Sequence, residues 1–388
     1  MRTSTETWPG RIALMVGHCA GMVDLVALPV WVGALIAWYH FEPQRAGGLA
    51  TLFLISAVVS SLVFAPRLNR INGRVAAMSG FAVAALAMLV AIFVTDYAVL
   101  AILHVIGGFS AACGLSFTHG TIAHSSNPHR LFAYANLAIG IFGVIFLGVT
   151  PNLIAAFGGP ALFVVFAVIF VIAAIVAAIL FPTATAKGEA GNLLADMGRL
   201  RPAVWFGIGG VSCMALNQAM MFSFLERVGI DHGFSRQAVT GVLIVLGFIT
   251  LIPAPLAAIL EKRLPPRGVL MTGPVLQVIL VFAITLASAF PLFAVAAVLY
   301  APVMIFTHTF AFGVLSKLDP SARALAGTPA MLMIGAAIGP ILGGTLVQFF
   351  GYSSLGIAAL IISAFAVILY SRVQAPAASV AAAQGVAR

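Results

Sequence analysis

The sequence predicts an all-α integral membrane protein in which twelve transmembrane helices form two related six-helix halves. The first observation behind this prediction is composition: 62% of the 388 residues are apolar, 7% are charged, and the mean hydropathy is +1.14. A soluble domain averages about 45–50% apolar and about 25% charged residues. The second is that the apolar residues form continuous runs of about 20 residues, the length that a membrane-spanning helix needs. The third is a series of short matches between the two halves of the chain.

A membrane β-barrel and a nucleic-acid-binding protein both fit this composition less well. Barrel strands alternate polar and apolar residues over about ten positions, whereas the runs here are continuous. The net charge is +9, but Lys and Arg collect in the cytoplasmic loops of membrane proteins, so we expect no nucleic-acid partner. The three cysteines all fall inside apolar runs and are expected to be free thiols.

The apolar runs define the helices and the domain boundaries. The predicted helices 1 to 12 cover residues 11–39, 46–66, 75–95, 97–122, 131–156, 160–182, 203–226, 237–260, 268–288, 291–316, 325–349 and 352–373. The first run is longer than the core of a cleaved signal peptide, so it is kept as helix 1. We expect an N-terminal bundle over 1–182, a cytoplasmic linker over 183–201, a C-terminal bundle over 202–373, and a disordered cytoplasmic tail over 374–388.

The distribution of basic residues predicts an orientation. With both termini in the cytoplasm, all but three of the 19 Lys and Arg residues lie on the cytoplasmic side. The three exceptions are Arg45, Arg227 and Arg236. Such a bias is typical of a multi-pass protein of a bacterial-type inner (plasma) membrane.

The two halves match at an offset of about 190 residues. Gly17 to Asp24 reads GHCAGMVD, and Gly210 to Asn217 reads GVSCMALN. The triplet Phe-Thr-His that ends at His119 recurs as the triplet that ends at His308. Repeats of this kind place a substrate site between the halves, near the middle of the membrane.

A basic loop and a glycine-rich helix carry a family resemblance. The loop after predicted helix 2 resembles the pattern G-x-x-x-D-R-x-G-R-R, except that Ala replaces the first Gly, Asn69 replaces the Asp, and one residue is inserted. Predicted helix 11 holds a full copy of G-x-x-x-G-P-x-x-G-G, which is associated with antiporters when it lies in helix 5. The motif residues, which we take as gating candidates, are Asn69, Arg70, Gly73, Arg74, Gly335, Gly339, Pro340, Gly343 and Gly344. The whole chain thus resembles the major facilitator superfamily. The stretch Arg45-Ala46-Gly47-Gly48, followed by an apolar run to Ala65-Pro66, and the length of the chain resemble the twelve-helix drug:proton antiporter and sugar-efflux group.

Asp24 is the acid that the sequence places near the centre of the membrane. It lies 13 residues past Arg11, or about 20 Å along a helix, where a carboxylate costs about 2.5–3.5 kcal/mol or more. Trp31 shares its helix face. We interpret Asp24 as the proton-coupling residue, and the alternative is a structural Asp held by a hydrogen bond.

Three histidines are further candidates. The family often has an Arg near position 104 that pairs with an acid of helix 1, so His104 is a candidate titratable partner of Asp24 or a packing residue. His119 and His308 occupy equivalent positions, which indicates a bracing role, with substrate contact as the alternative.

The resemblance implies that helices 1, 4, 7 and 10 line the substrate cavity. Asn217 occupies the position that corresponds to Asp24, so the charge exists in one half only. Met214 and Met221 of helix 7 could form an adaptable wall of the substrate cavity. Core packing or lipid contact is the alternative for both residues. The cavity candidates are Trp31, His119, Met214, Asn217, Gln218, Met221, Tyr300, Met304 and His308.

These residues predict a secondary transporter and not an enzyme. The sequence has no G-x-x-x-x-G-K-[ST] loop for ATP and no metal-ligand spacing, so we expect no cofactor and no metal. The partners expected are a small neutral, weakly cationic or lipophilic substrate, protons and membrane lipid, and the chain is expected to be a monomer. Proton-coupled efflux is the first hypothesis, import of an organic nutrient is the second, and a non-transporting receptor or scaffold is the third.

Overall fold

The structure, a computed structural model, describes residues 4–68, 70–182, 201–318 and 328–373. In this part of the chain, twelve helical spans are long and apolar enough to cross a membrane, which confirms the predicted fold class. The spans are α1 (Trp8–Tyr39), α2 (Pro43–Arg67), α3 (Gly73–Ala91), α4 (Tyr97–Ala123), α5 (Arg130–Phe157), α6 (Pro160–Leu180), α7 (Pro202–Asp231), α8 (Arg236–Leu260), α9 (Pro266–Thr285), α10 (Phe290–Leu318), α11 (Met331–Phe350) and α12 (Ser353–Ser371). The predicted tail and nearly all of the predicted linker lie outside the described residues.

Side-chain caps fix where several helices begin. Asn72 accepts hydrogen bonds from the backbone N–H groups of the first turn of α3, and Asp96, Asn127 and Ser235 do the same for α4, α5 and α8. These N–H groups have no partner within the helix, so a side-chain oxygen that accepts from them stabilises the helix start. The polar residues between apolar runs therefore set the register of the spans.

Three spans are interrupted. The span α1 consists of helices Trp8–Gly21 and Val23–Tyr39. The span α7 consists of Pro202–Phe222 and Leu225–Asp231. The span α8 consists of Arg236–Ile249 and Pro253–Leu260. Because α7 continues past its interruption, it ends five residues beyond the predicted limit of 226.

The even number of spans places Ser4 and Val373, the first and last described residues, at one end of the bundle. We call this the proximal end, and the opposite end, which holds the α1–α2 and α7–α8 connections, the distal end. The two halves pack against each other mainly through α2 with α11 and α5 with α8. Reciprocal use of equivalent helices in this way is what a pseudo-symmetric pair of bundles produces.

Within the described residues, the largest apolar cluster that joins the two halves lies toward the distal end. One cluster joins the N-terminal half to distal residues of the C-terminal half, among them Met220, Val239 and Phe293. Proximal residues of the C-terminal half, such as Met304, form a separate cluster. A small third cluster, centred on Met333, joins α11 to α2 and α4. The halves thus share their most extensive apolar contact at the distal end, and toward the proximal end only the small Met333 cluster joins them among the described residues.

Candidate functional site

Asp24 lies at the interruption of α1, in the first turn of the helix that starts at Val23. Its side chain is 1% exposed. One carboxyl oxygen, Oδ1, accepts a hydrogen bond from the backbone N–H of Leu25 at 2.8 Å, and the other, Oδ2, is buried without a hydrogen-bond partner. A helix N-terminus favours negative charge, but an unpaired buried oxygen costs about 1–3 kcal/mol. The hydrogen bond from Leu25 fits the structural alternative, an Asp held by a hydrogen bond, and the unpartnered Oδ2 fits the coupling role, so both interpretations of Asp24 stay predictions.

The surroundings of Asp24 are closely packed. A Cβ at Gly21 would lie 2.6 Å from Leu115 of α4, and a Cβ at Gly17 would lie 2.7 Å from Thr118 Oγ1. Glycine at these two positions allows α1 and α4 to approach, as small residues do between membrane helices. The buried Asp24 thus follows a stretch of α1 that packs directly against α4.

His104 is not brought against Asp24. Its ring stacks on Trp31 with centroids 5.5 Å apart and meets Phe163 edge-on. Its Nδ1 lies 2.7 Å from the carbonyl of Leu100, and its Nε2 has no hydrogen-bond partner. The expected pairing of His104 with the helix 1 acid is therefore wrong for this conformation, because the histidine belongs to an aromatic cluster further toward the distal end.

Trp31 belongs to the same cluster and is fully buried. Besides His104, it contacts Phe53 and Phe166 in T-shaped arrangements. Trp31 lies seven residues after Asp24 on the same helix, and its ring packs inside the N-terminal bundle. Trp31 consequently packs the core of one half and does not line a cavity.

His119 is half of a histidine pair. Its Nε2 lies 2.9 Å from Nδ1 of His18 on α1, and the ring centroids are 5.1 Å apart. One nitrogen of such a pair must carry the hydrogen that the other accepts. Its repeat mate His308 instead packs against Phe312, because residue 211, the equivalent of position 18, is Val. The two histidines occupy equivalent positions but have different environments.

Asn217 faces the interior of the C-terminal half. Its Nδ2 donates to Ser363 Oγ at 2.8 Å and to the carbonyl of Ala359 at 3.3 Å, both on α12. The hydroxyl of Tyr300 donates to the backbone carbonyl of Asn217 at 2.7 Å. Both side chains are fully buried. Their expected place in the substrate cavity is wrong for this conformation, because these hydrogen bonds tie α7 to α10 and α12.

The methionines on these helices are core residues. Met214, Met221 and Met304 are each at most 4% exposed, so the packing alternative applies to them. Gln218 and His308 are partly exposed and remain the cavity candidates in the second half.

The glycine motif of α11 forms closely packed contacts on two faces. Gly335, Gly339 and Gly343, spaced four residues apart on one stripe, pack against α7, where each added Cβ would lie 3.0 Å or less from its backbone. On the other face, a Cβ at Gly344 would lie 2.3 Å from the carbonyl oxygen of Pro43 on α2. The motif therefore holds α11 between α7 and the other half.

The contact of α2 with α11 is reciprocal and forms what we call the distal seal. A Cβ at Gly47 of α2 would lie 2.1 Å from the carbonyl oxygen of Pro340 of α11, mirroring the contact of Gly344 with Pro43. All hydrogen bonds between the halves that involve described residues occur in this seal. They join Gln44 to Gln348, Gln348 to Glu42, and Ile341 to Thr51 at 3.0–3.1 Å.

Glu226 is a buried acid in the distal part of α7 that sequence reasoning missed. Its carboxylate is 6% exposed and lies 3.6 Å from Nη1 of Arg236 on α8. A Cβ at Gly33 of α1 would lie 3.1 Å from its Oε2, so Glu226 contacts the other half where that half has no side chain. Glu226 stands at the end of a predicted helix, where acids are usually exposed in loops. Its contact with Gly33 joins two distant helices, so no sequence pattern indicates it.

The basic loop between α2 and α3 joins elements of one half. Arg74 donates through Nε and Nη2 to the carbonyl of Phe181 at 3.1 and 2.7 Å, at the C-terminal end of α6 where a helix dipole favours a cation. Gly73 starts α3 beside the same residue, Arg70 is exposed, and Asn69 lies outside the described residues. These contacts brace the N-terminal bundle.

A bundle of two pseudo-symmetric six-helix halves, joined most extensively at one end, is the architecture of membrane transporters that alternate between two openings. The family model described as Major Facilitator Superfamily matches residues 13–324. The chain belongs to this superfamily, and it is a transporter and not an enzyme.

Solved structures show the same fold. A crystal structure of a mutant of the nucleoside transporter NupG superposes with a TM-score of 0.71 at 16% identity, covering 93% of this chain and 98% of the other. A second crystal structure of NupG gives a TM-score of 0.71 at 17% identity and covers 94% and 96%. At this identity the likeness concerns the fold. Comparison with curated protein sequences gives no match.

Proposed function

We propose that this chain is a proton-coupled secondary transporter that exports a small neutral, weakly cationic or lipophilic organic molecule. The observation that carries the proposal is Asp24, a carboxyl group near mid-membrane whose Oδ2 is buried without a partner. An intramembrane acid of this kind marks ion pathways and proton relays in transporters. Its place at the interruption of α1 resembles the discontinuous helices that build coupling sites.

Alternating access supplies the cycle. In the distally sealed conformation, Asp24 is enclosed and is held most easily as a neutral acid, because a buried charge is costly. Parting the distal seal and closing the proximal end exposes the site to the other side, where water stabilises the carboxylate. The carboxylate takes up a proton there, keeps it while the seal closes again, and gives it up at the proximal end when substrate binds in its place. One proton therefore moves from the distal to the proximal end in each cycle, while substrate moves from the proximal to the distal end.

The distribution of charged and polar side chains supports the substrate class. In the described part of the chain, Lys and Arg lie near the ends of the spans, so no fixed cation is available mid-membrane for a phosphate or dicarboxylate. The partly exposed polar side chains, Gln218, His119 and His308, suit hydrogen bonding to a neutral or weakly basic molecule. We further propose that the chain acts as a monomer in a bacterial-type inner membrane with both termini in the cytoplasm.

Import of a small organic nutrient is the second candidate. The observation that favours it is the fold shared with the nucleoside transporter NupG, and a nucleoside is itself a small neutral molecule. The direction of net transport depends on the coupling gradient, so the same residues serve either mode.

A substrate screen followed by transport in proteoliposomes tests the proposal. A thermal-shift panel of nucleosides, sugars, amino acids, aromatic acids and cationic drugs identifies a ligand of the purified chain. Transport of that ligand is then measured with and without an imposed pH gradient. We expect the gradient to drive accumulation by the wild-type chain, while Asp24→Asn exchanges substrate but does not accumulate it.

A matched control is Asp96→Asn, which makes the same chemical change at a helix cap of the distal α3–α4 loop. It is expected to retain accumulation driven by the pH gradient. If the pH gradient drives the same accumulation in Asp24→Asn as in the wild-type chain, Asp24 does not couple transport to protons.

A further inference from the structure

An apolar groove of about 490 Å³ lies on the outer surface of the C-terminal half, between α8, α9 and α10. Its walls include Ile252, Leu256, Leu276 and Leu299, each 41–50% exposed. Side chains with this exposure on the outside of a membrane bundle face the hydrocarbon of the bilayer. The groove is therefore separate from the interface of the two halves where transport takes place.

The interruption of α8 and nearby prolines create the groove. The helix Arg236–Ile249 ends before Pro253, where the next helix begins. Pro302 lies inside α10, and Pro265 precedes the start of α9. Proline removes a backbone hydrogen bond and bends or ends a helix. Bends in neighbouring helices leave a gap that the described side chains do not fill.

The groove opens toward a basic loop. Its proximal lining residues are Leu264 and Pro265 of the α8–α9 connection and Gly268 in the first turn of α9. The same stretch carries Lys262, Arg263 and Arg267, all exposed. The acid in this loop, Glu261, is paired with Lys317 of α10 at 3.8 Å. The mouth of the groove is therefore positively charged.

The dimensions match one leaflet. From the start of α9 at Pro266 to the groove residue Leu276, ten helical steps span about 15 Å, which is about half of the 30 Å hydrocarbon core. A volume of about 490 Å³ lies within the usual range of about 300–1,000 Å³ for small-molecule sites. A groove that is basic at the membrane surface and apolar for half a bilayer fits a phospholipid.

We propose that this groove is a binding site for an anionic phospholipid of the leaflet at the proximal end. An acyl chain lies in the groove, and the phosphate lies at Lys262, Arg263 and Arg267. Clustered Lys and Arg beside a membrane helix attract anionic headgroups at about 1 kcal/mol per residue. The site is independent of the proposed direction and coupling of transport.

Native mass spectrometry of the purified full-length chain tests the headgroup preference. The chain is mixed with equal amounts of phosphatidylglycerol and phosphatidylcholine that have identical acyl chains. We expect the wild-type chain to retain more phosphatidylglycerol than phosphatidylcholine. The combined variant K262Q/R263Q/R267Q is expected to lose this preference, because each removed cation lowers the ratio of retained phosphatidylglycerol to phosphatidylcholine about fivefold. The charge-matched control R67Q/R70Q/R130Q removes exposed arginines at the same end of the N-terminal half and is expected to keep the preference.

A second pair of variants tests the groove itself. Thr272 lines the groove and is exposed, so Thr272→Trp fills it, whereas Val275 is 49% exposed on the same helix outside the lining. We expect Thr272→Trp to reduce the retention of both lipids and Val275→Trp to leave it unchanged. Equal retention of the two lipids by the wild-type chain, or a loss of preference in the control that matches the loop variant, overturns the headgroup assignment. Unchanged retention in Thr272→Trp overturns the location.

Discussion

Adding one methyl group to the distal seal is expected to open the transporter at that end. In Gly47→Ala, the new Cβ would lie 2.1 Å from the carbonyl oxygen of Pro340, whereas ordinary contacts begin near 3.4 Å. The helices α2 and α11 must therefore part by about 1 Å, which also strains the nearby hydrogen bond between Ile341 N–H and Thr51 Oγ1.

The added methyl group destabilises only the conformation in which the distal seal is closed. Overpacking of this kind costs about 1–3 kcal/mol, and the contact is absent once the seal has parted. The equilibrium between the sealed and opened states should consequently shift about 5- to 150-fold toward the opened state. Gly344→Ala, at the reciprocal contact with Pro43, is expected to act in the same direction.

Thiol accessibility measures the shift. Ala34 is 4% exposed and lines the small distal gap beside Glu226, so Ala34→Cys, placed in a chain without its native cysteines, reports distal opening. We expect a membrane-impermeant maleimide to label it faster in Gly47→Ala. The control is Gly241→Ala on α8, where an added Cβ meets nothing within 4 Å. Labelling in Gly47→Ala that equals the control, in protein that remains monodisperse, would refute the account of the seal.

Two further predictions concern charged residues. Arg236→Gln removes the partner of buried Glu226 and leaves its carboxylate unpaired. Such a loss costs about 3–5 kcal/mol in fully buried pairs, and less here because Arg236 is 43% exposed. We expect faster labelling of the distal reporter, partly reversed by Glu226→Gln in the same chain, whereas unchanged labelling would show that the pair does not hold the distal end closed. Arg74→Ala removes the hydrogen bonds to the carbonyl of Phe181. A thermal-unfolding assay of the purified chain should show a loss of about 1.5–3 kcal/mol of stability. An equal loss in the exposed control Arg70→Ala would contradict the role of Arg74 in bracing the N-terminal bundle.

The spans could be predicted from the sequence because each depends on a local property. A continuous apolar run identifies a membrane helix without reference to its neighbours, and the polar residues between runs supplied the caps. The glycine motif was also readable, since Gly335, Gly339 and Gly343 lie four residues apart and must share a face. Which helix lies against that face is a long-range property that the spacing does not contain.

The candidate site was predicted less completely for the same reason. Helical periodicity placed Asn217 on a face with the methionines of α7, but the contacts with α12 that bury it depend on how the bundle assembles. The pairing of His18 with His119 joins residues on different helices. Glu226 is buried because α1 has a glycine opposite it. Each of these contacts joins helices that are distant in the sequence.

The pH dependence of distal opening tests the central claim, proton coupling through Asp24, without needing the substrate. If Asp24 is neutral when enclosed and charged when exposed, linkage requires the conformational equilibrium to change with pH. Labelling of the Ala34→Cys reporter is expected to rise with increasing pH, because deprotonation of Asp24 disfavours the sealed state. The labelling rate of a fully exposed cysteine, measured at each pH, corrects for the change in thiol reactivity. In Asp24→Asn this rise should be lost. A rise of the same size in Asp24→Asn would contradict the claim and assign the pH dependence to another group, such as the His18–His119 pair.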